Sequence, residues 1–262
     1  MKKVCIVIPV FKENPNKFEE VSLIQCQKVL GEFDIIFICP EQLDTTNYNS
    51  LIPGRKEFYF DPIYFKSVKS YSSLCKKSFF YKRFLEYEFM LVYQTDCFVF
   101  KNELLEWCNK GYDFIGPPWI HKEWMEGMAR NLKMPFLKGY FNEVGNGGFS
   151  LRKVKKFFIF SRLYFLLADN TNFNEDVFWV NFTRILFPRF KISKFKDALA
   201  FGFEEEPEKC YALNNYTLPF GCHAWEKHDF DFWKVRFKEK FLIWVGATLN
   251  QPMLVFYSRI LI

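Results

Sequence analysis

The amino-acid sequence predicts an α/β protein in which helices flank a mixed, mainly parallel sheet, with a helical appendage at the C-terminus. Residues 4–10 have a strand pattern, a helical pattern follows, and DIIFICP at Asp34–Pro40 is a second strand pattern. A strand, a helix and a strand in this order form a right-handed crossover between parallel strands. The apolar run at residues 88–93 then predicts a buried central strand. Together these patterns give the fold class.

The other elements of the first half follow from local signals. Asn14 before Pro15 predicts the start of the first helix, because Asn caps helices and Pro favours their first position. Residues 55–60 predict a third strand, which ends at Asp61. Residues 67–86 have apolar side chains at helical spacing and predict one helix. A phosphate contact is the alternative for one of the basic residues predicted on its solvated face, which are Lys76, Lys77, Lys82 and Arg83.

The second half alternates short strand patterns with irregular sequence. Asn102 predicts the cap of a short helix that Gly111 ends, and residues 113–119 predict a strand that ends in Pro-Pro. Residues 120–141 have no clean period, so we interpret them as a flap over a site. Core packing explains any single aromatic residue of this segment equally well. Residues 149–151 resume a strand.

The composition is that of a folded chain of 262 residues, long enough for one large α/β domain. Hydrophobic residues make up 50% and aromatic residues 21%, which excludes a disordered chain and predicts a core filled with rings. The net charge of +6 suits anionic ligands or anionic membrane surfaces but is too small for a dedicated nucleic-acid binder. We divide the chain into a main domain at residues 1–228 and an aromatic and basic helical tail at residues 229–262.

Cysteine usage and the N-terminus predict a cytoplasmic protein. None of the 8 Cys has CxxC spacing, and several lie in strand-like runs, where a thiol behaves as a small hydrophobic group. The N-terminal MKKVCIVIPV lacks a small-residue cleavage site, and its apolar run is too short to span a bilayer. We therefore interpret it as a first strand. The tail at residues 232–262 suits either an interfacial membrane contact or a helix packed on the domain.

Two side chains are candidate cation ligands. Asp96 directly follows the predicted central strand, and ligands of open α/β sheets collect outside the carboxyl ends of strands. Its carboxylate is therefore placed to hold a cation beside a bound phosphate, and a turn cap is the alternative. His223 lies in the glycine-containing stretch PFGCHAW and is one of 3 His. A lone His is more often structural than a ligand, so both interpretations stay open.

The stretch NEVGNGGFSLR carries three glycines, at positions 145, 147 and 148. Glycine lets the backbone approach a ligand closely and adopt positive φ, although an ordinary hairpin turn explains the same residues. No Lys-Ser or Lys-Thr pair follows, which excludes a P-loop. The first turn of the chain has no GxGxxG, which argues against a dinucleotide cofactor.

An acidic pair opens a predicted helix in the stretch NFNEDVFW. Asn174 predicts the helix cap, and Glu175 and Asp176 lie in the first turn. Acids at this position complement the helix dipole, which explains the pair without any chemistry. A catalytic carboxylate is the alternative.

The order of these motifs along the chain resembles the glycosyltransferase-A fold. More closely, YQTDCFVF, DFIGPPW, VGNGGFSLR, NEDVFW and PFGCHAW look like a group of bacterial proteins assigned as glycosyltransferases, a domain of formerly unknown function, found among genes for surface polysaccharides. The resemblance covers about residues 4–225. It implies a metal-dependent, hexosyltransferase-type enzyme that moves a sugar from a nucleotide-sugar donor, with a UDP-sugar favoured, to a hydroxyl of a glycan or lipid-linked oligosaccharide. The implied pathway is lipopolysaccharide O-antigen or capsule synthesis, at the inner face of the cytoplasmic membrane.

The resemblance also assigns the metal site. Gln94, Thr95 and Asp96 stand where such enzymes have an Asp-x-Asp motif, and Asp96 matches its final, metal-binding Asp. Gln94 replaces the first acid, so that a ribose or a metal-bound water becomes its expected partner. His223 matches a late histidine that often completes the metal site. Asp96, His223 and the donor's diphosphate oxygens are thus expected to hold Mn²⁺ or Mg²⁺.

The remaining assignments concern the base, the nucleotide and the cleft. Asp176, with Glu175 beside it, matches an acidic pair whose Asp commonly serves as general base, and in a retaining enzyme the same Asp would orient the acceptor. The residues assigned to the nucleotide are Pro9, Val10, Phe11 and, for the ribose or base, Asp61. The residues assigned to the donor and acceptor cleft are Trp119, Gly147, Gly148 and Trp225.

Two other functions remain open from the sequence. One is a non-catalytic carbohydrate- or nucleotide-binding module, in which Gln94 marks a decayed metal site. The other is a nucleotidyltransferase acting on sugar phosphates, which ranks last because the glycine-rich start that cradles a nucleoside triphosphate is missing.

Overall fold

A computed structural model describes residues 1–120, 144–163, 173–183, 187 and 189–245 of the chain. In chain order the described strands are β1 (Lys2–Pro9), β2 (Asp34–Pro40), β3 (Lys56–Phe60), β4 (Tyr87–Tyr93), β5 (Phe98–Val99), β6 (Phe114–Ile115), β7 (Phe149–Lys153), β8 (Gly202–Phe203) and β9 (Gly221–Cys222). The described α-helices are α1 (Lys17–Leu30), α2 (Val68–Leu74), α3 (Ser78–Lys82), α4 (Leu104–Asn109), α5 (Val154–Leu163), α6 (Glu175–Val177), α7 (Phe195–Phe201), α8 (Pro207–Leu213) and α9 (Phe230–Val245).

The main sheet has six strands in the order β3-β2-β1-β4-β7-β6. The first four are parallel, β7 is antiparallel to β4, and β6 is antiparallel to β7. This arrangement confirms the predicted mixed, mainly parallel sheet. Because parallel strands end at one edge of a sheet, the segments that follow β1 and β4 lie side by side. The predicted Asp96 position is on that edge.

The central strand β1 is buried on both faces. Val4, Ile6 and Ile8 pack into one hydrophobic cluster, and Cys5 and Val7 pack into the cluster on the opposite side of the sheet. Helices cover both faces, so the strand is a continuous apolar run without alternation. This is why the sequence pattern of β1 was informative.

The first helix begins two residues later than predicted, and the assignment of Asn14 as its cap is wrong. Asn16 is the cap: its Oδ1 accepts hydrogen bonds from the backbone N–H groups of Phe18 and Glu19, both at 2.9 Å. Glu19 Oε2 in turn accepts from the Asn16 N–H at 2.7 Å. A capping box needs a Glu three residues after the cap, which Asn16 has and Asn14 lacks.

The single helix predicted at residues 67–86 is two short helices, α2 and α3. The backbone N–H of Cys75 closes α2 by bonding to the carbonyls of Ser73 and Tyr71. Lys76 follows in the connection and is buried, 6% exposed, with its Nζ donating to the Phe173 carbonyl at 3.1 Å. The prediction that Lys76 lies on a solvated face is therefore wrong.

Two further predicted elements are shorter than expected. The helix predicted from Asn102 is α4, which begins after Glu103, and the strand predicted at residues 113–119 is reduced to the two residues of β6. Of the predicted flap at residues 120–141, all but Ile120 lies outside the described residues.

A second, smaller sheet joins β5 to two strands from the late part of the chain, β8 and β9. Its order is β5-β9-β8, with β9 antiparallel to β5 and parallel to β8. Helix α9 packs on it: Phe237 stacks on Phe98 with ring centroids 4.2 Å apart, and Trp233 stacks on Phe100 at 5.8 Å. The first turns of the predicted tail are thus part of the core. Within the part of the chain described, no helix combines the length and apolar character that a membrane span requires.

Candidate active site

Asp96 lies in a tight turn directly after β4. The Cys97 N–H donates to the Gln94 carbonyl at 2.9 Å, and the Gln94 N–H donates to the Gly148 carbonyl at 3.0 Å. The turn is therefore anchored to the segment that leads into β7. The Asp96 side chain is only 12% exposed, and its Oδ1 accepts no hydrogen bond of good geometry within the described residues. A buried carboxylate oxygen that accepts no well-aligned hydrogen bond has capacity left for a ligand.

His223 reaches the same point from the second sheet. It directly follows β9, and its backbone N–H donates to the Phe203 carbonyl at 2.9 Å. Its Nε2 lies 3.3 Å from Asp96 Oδ1 and 3.1 Å from Gln94 Oε1. The structure thus brings together Asp96 and His223, which the resemblance assigns to the metal site, and Gln94, which it assigns to the nucleotide donor.

Glu204 and Lys227 complete the group, and neither was recognised in the sequence. The Glu204 carboxylate lies 2.8 Å from His223 Nδ1, and the Lys227 ammonium donates to Asp96 Oδ2 at 2.6 Å. Glu204 opens the run EEE after a two-residue strand, and nothing local distinguishes it from its two neighbours. Lys227 belongs to a short turn with no periodic pattern.

These contacts shift the ionisation of both predicted ligands. Burial opposes the imidazolium form of His223, but the carboxylates of Glu204 and Asp96 outweigh burial and raise its pKa to about 10. Burial likewise opposes the ionised form of Asp96, but His223 and Lys227 outweigh it and hold the pKa of that carboxyl well below its usual range. Two carboxylates, Asp96 and Glu204, thus face two cationic groups, the imidazolium of His223 and the ammonium of Lys227.

The donor atoms fit a divalent cation. Asp96 Oδ1, His223 Nε2 and Gln94 Oε1 converge at separations of 3.1 and 3.3 Å about Nε2, and ligands side by side on an octahedral ion with bonds of 2.0–2.1 Å are about 3 Å apart. Cys97 is also within reach, since its Sγ, an Asp96 carboxylate oxygen and a His223 ring nitrogen lie within 4.8 Å of one another. Its thiol donates to the Gly148 carbonyl, however, and burial raises its pKa well above the ordinary value. The oxygens of Asp96 and Gln94 suit Mn²⁺ or Mg²⁺, and a protonated thiol does not. The His223 imidazole binds a metal only in its neutral form, so cation binding there would displace the proton from Nε2.

Gly147 lies against the side chain of Glu175, and Gly148 lies against the ring of His223. A Cβ at Gly148 would lie 2.2 Å from His223 Nε2, and a Cβ at Gly147 would lie 2.5 Å from Glu175 Oε1. Neither glycine has positive φ, so that part of the prediction is wrong. The glycines are needed because protein side chains approach the backbone closely on both sides.

Glu175 and Asp176 form the first turn of α6, after the predicted cap at Asn174. Glu175 Oε1 accepts from the guanidinium of Arg152 at 2.8 Å, and the Arg152 side chain is fully buried. Asp176 Oδ1 accepts from the Val177 N–H at 2.7 Å. Burial and the neighbouring charge of Glu175 raise the pKa of Asp176 to about 7, with a smaller contribution from Glu204. A carboxyl group with a pKa near neutral pH is suited to act as a general base.

A cleft of about 480 Å³ opens beside Asp96. The predicted nucleotide residues Pro9 and Phe11 line it, and Phe11 is 56% exposed. Gln94, Thr95, Asp96 and Lys227 form its polar end, and Phe65 to Val68 and Tyr71 form another wall. This volume is within the range of small-molecule sites.

The other predicted contact residues have structural roles in this conformation. Val10 is 1% exposed and packs in the core, and Thr95 Oγ1 donates to Glu19 Oε1 at 2.9 Å. Asp61 caps a 3₁₀ turn by accepting from the Ile63 N–H at 2.9 Å, and it is not among the residues that line the cleft. Its predicted contact with the ribose or base is therefore not seen here.

The two predicted tryptophans are not among the residues that line the cleft. Trp225 is 1% exposed, donates to Ser22 Oγ at 3.0 Å and packs edge-on against Phe18. Its assignment to the cleft is therefore corrected, because a ligand does not reach a ring held in the core. Trp119 is partly buried, and a Cβ at Gly145 would lie 2.4 Å from its indole ring.

Solved structures with the same architecture are glycosyltransferases of the A fold. Mouse xyloside xylosyltransferase 1 matches with a TM-score of 0.55 and 12% identity over 84% of this chain and 97% of its own. Galactosyltransferase LgtC, solved with donor and acceptor sugar analogues, matches with a TM-score of 0.53 and 16% identity over 95% and 97%. The bifunctional glycosyltransferase WbbM matches with a TM-score of 0.53 and 14% identity over 98% of this chain and 52% of its own. The chain thus has the glycosyltransferase-A fold, and it spans about half the length of WbbM.

The family is defined by sequence. Residues 56–223 match the family described as "Protein of unknown function (DUF5672)", and the chain belongs to that family. Among curated proteins, none matches the chain. The matched region begins at β3 and ends at His223, so it contains Gln94, Asp96, Glu175, Glu204 and His223, while Lys227 lies beyond it.

Proposed function

We propose that this protein is a metal-dependent glycosyltransferase that moves a sugar, a hexose in our assignment, from a nucleotide-sugar donor to a hydroxyl of an acceptor. The observation that carries the proposal is the convergence of Asp96 Oδ1, His223 Nε2 and Gln94 Oε1 beside a cleft that Gln94 and Asp96 line. A cleft with cation ligands at one end suits a nucleoside diphosphate. A UDP-sugar is the donor that we favour.

Each residue has a role that follows from its surroundings. Asp96 and His223 bind Mn²⁺ or Mg²⁺, with Gln94 as a neutral third contact. The chemistry that a bound divalent cation supplies is the neutralisation of charge on the leaving diphosphate. The Lys227 ammonium, 2.6 Å from Asp96 and lining the cleft, supplies further positive charge to the same oxygens. Pro9 and Phe11 contact the nucleotide.

Asp176 takes the proton from the acceptor hydroxyl as that oxygen attacks the anomeric carbon. Its pKa of about 7 lets it exist as carboxylate near neutral pH and still bind the proton during attack. In this inverting course, the Arg152–Glu175 ion pair holds the first turn of α6 in place. If the configuration is retained instead, Asp176 orients the acceptor.

The acceptor in this proposal is a glycan or a lipid-linked oligosaccharide of a surface polysaccharide, namely O-antigen or capsule, at the inner face of the cytoplasmic membrane. The tail contributes a peripheral membrane contact through residues 232–262. Because Trp233 and Phe237 are buried against the second sheet, the contact is assigned to the part beyond them. Ending the chain after Val245 is expected to reduce association with anionic vesicles, and unchanged association contradicts the assignment.

Titration calorimetry tests the nucleotide and the metal together. The purified protein is titrated with UDP, GDP and CMP, each with and without Mn²⁺. We expect one nucleotide, UDP first, to bind more tightly with Mn²⁺ than without it, and we expect His223→Ala to lose that difference. If no nucleotide binds under any condition, the proposal is wrong.

A non-catalytic binding module is the second candidate, and a specific observation favours it. Gln94 replaces an acid, and Asp96 is occupied by an ion pair with Lys227. Transfer or hydrolysis of the bound nucleotide sugar separates the two candidates. A protein that binds the donor but turns none over with acceptors supplied is a binding module. Turnover that disappears in a folded Asp176→Asn variant identifies the enzyme.

A further inference from the structure

The second sheet places Glu204 next to His223. Strands β8 and β9 are parallel, and Phe203 pairs with Cys222 in their register. The next residue on each strand is Glu204 and His223, which therefore leave the sheet together at one edge. The His223 N–H donates a hydrogen bond to the Phe203 carbonyl at 2.9 Å, which fixes the backbone of His223 relative to that edge.

The two ring nitrogens of His223 face different partners. Nδ1 lies 2.8 Å from Glu204 Oε1, whereas Nε2 lies 3.3 Å from Asp96 Oδ1 and 3.1 Å from Gln94 Oε1. A half-turn of the ring about the Cβ–Cγ bond would place Cδ2 where Nδ1 lies and Cε1 where Nε2 lies, so that carbon atoms would face both sets of oxygens. The Glu204 carboxylate accepts only, so it requires a proton on Nδ1.

Gly148 closes the other side of the ring. A Cβ there would lie within 2.2–2.8 Å of three imidazole atoms, so the glycine admits the ring, and the backbone leaves it little freedom. Glu204, with 13% of its side chain exposed, is itself held in a shielded place. Shielding from water strengthens the hydrogen bond to Nδ1.

We propose that Glu204 is the positioning residue of the cation site, which holds His223 with Nε2 directed at Asp96 and Gln94. The inference rests on the proposed metal-dependent function. A carboxylate that accepts from the second ring nitrogen of a metal-binding histidine fixes its orientation and makes the other nitrogen a better electron-pair donor. Glu204 does not bind the cation. Its negative charge acts on the cation through the imidazole ring of His223.

Mn²⁺ binding tests the inference directly. Free Mn²⁺ is measured by electron paramagnetic resonance during titration of the full chain, with and without UDP. Loss of such an outer carboxylate typically weakens metal binding 10–100-fold, so we expect at least a tenfold loss in Glu204→Ala. Glu204→Gln, whose amide oxygen still accepts from Nδ1, is expected to bind Mn²⁺ with an affinity between those of the unaltered protein and Glu204→Ala. Glu205→Gln is the matched control, since it removes the same charge one residue further on, and it is expected to bind as the unaltered protein does.

Nuclear magnetic resonance reads the orientation of the ring without metal. The chain has 3 His, so a ¹H–¹⁵N spectrum of the imidazole groups is simple, and His223→Asn assigns the signal of interest. We expect an Nδ1–H proton protected from exchange in the unaltered protein and in Glu204→Gln, and lost in Glu204→Ala.

The two measurements separate the failures. If Glu204→Ala keeps both its Mn²⁺ affinity and its protected Nδ1–H proton, the positioning role is overturned while the proposed function stands. If the unaltered protein binds no Mn²⁺ with or without UDP, the metal-dependent function fails, and the positioning role for a cation fails with it. A tenfold loss of affinity together with loss of the Nδ1–H signal supports the inference.

Discussion

The buried Arg152–Glu175 ion pair gives the most direct test of how the acidic turn is held. The Arg152 guanidinium donates to Glu175 Oε1 at 2.8 Å, to the Gly147 carbonyl at 3.1 Å, to the Tyr81 hydroxyl at 3.1 Å and to Ser150 Oγ at 3.0 Å. Arg152 is 0% exposed and the Glu175 side chain is 8% exposed. Glu175 Oε2 has no hydrogen-bond partner in the described part of the chain, so the pair depends on this one guanidinium.

Replacing Arg152 by Met removes all four hydrogen bonds and leaves a buried carboxylate without its partner. Breaking one side of a buried ion pair typically costs about 3–5 kcal/mol, and we expect Arg152→Met to lower the free energy of unfolding by about 4 kcal/mol. The double variant Arg152→Met, Glu175→Gln removes the stranded charge, so it is expected to recover about half of that loss. Urea denaturation followed by circular dichroism measures Arg152→Met, Glu175→Gln, the double variant and the unaltered protein.

An exposed pair of similar length is the control. Lys110 Nζ lies 2.6 Å from Asp197 Oδ1, but the two side chains are 41% and 27% exposed. Because water screens such a pair, Lys110→Met is expected to change the free energy of unfolding by less than about 1 kcal/mol. The reasoning is refuted if Arg152→Met costs no more than Lys110→Met, or if the double variant costs the sum of the two single ones.

Three further predictions concern the site itself. Gly148→Ala would place a Cβ 2.2 Å from His223 Nε2, so we expect a folded protein with at least tenfold weaker Mn²⁺-dependent UDP binding by calorimetry, and unchanged binding contradicts the geometry. Gln94→Asp adds a carboxylate to the ligand set and is expected to strengthen Mn²⁺ binding about tenfold or more, which paramagnetic resonance measures; weaker binding would exclude Gln94 from the site. The folded pKa of Asp176, about 7, is above its ordinary value, so the folded state binds more protons than the unfolded state between about pH 4 and pH 7. Stability conferred by protonated Asp176 is thus lost as pH rises, by up to about 1.4 kcal/mol per pH unit, and Asp176→Asn is expected to gain in relative stability over that window. If the free energies of unfolding of the unaltered protein and Asp176→Asn change with pH in parallel across pH 5–8, Asp176 titrates normally.

The strands that the sequence predicted well are those buried on both faces. β1, β2 and β4 are runs of seven or eight residues with few polar side chains, and their burial leaves a pattern that can be read locally. β5, β8 and β9 have two residues each, and their existence depends on pairing with one another: β5 with β9, more than one hundred residues later in the chain, and β8 with β9. Such short strands have no period of their own, so the second sheet was not predictable.

The same distinction explains which site residues the sequence revealed. Asp96 was predicted because it ends a strong strand pattern, and the Glu175–Asp176 pair was predicted because it resembles an acidic pair of glycosyltransferases. Glu204 was missed because its importance comes from a register between two-residue strands. Arg152 was missed because it lies in β7 among residues that look like an ordinary strand, and only the structure pairs it with Glu175.

The acid missing at Gln94 acquires a different meaning from this arrangement. An Asp-x-Asp motif carries two carboxylates. In the cation site proposed above, Asp96 would contribute one charge directly, and Glu204 would contribute a second through the imidazole of His223. We therefore interpret the number of carboxylates acting on the proposed cation as unchanged, although only one of them is a ligand. A sequence comparison confined to residues 94–96 records a lost acid, because the compensating charge lies 108 residues further along the chain and reaches the site through the second sheet.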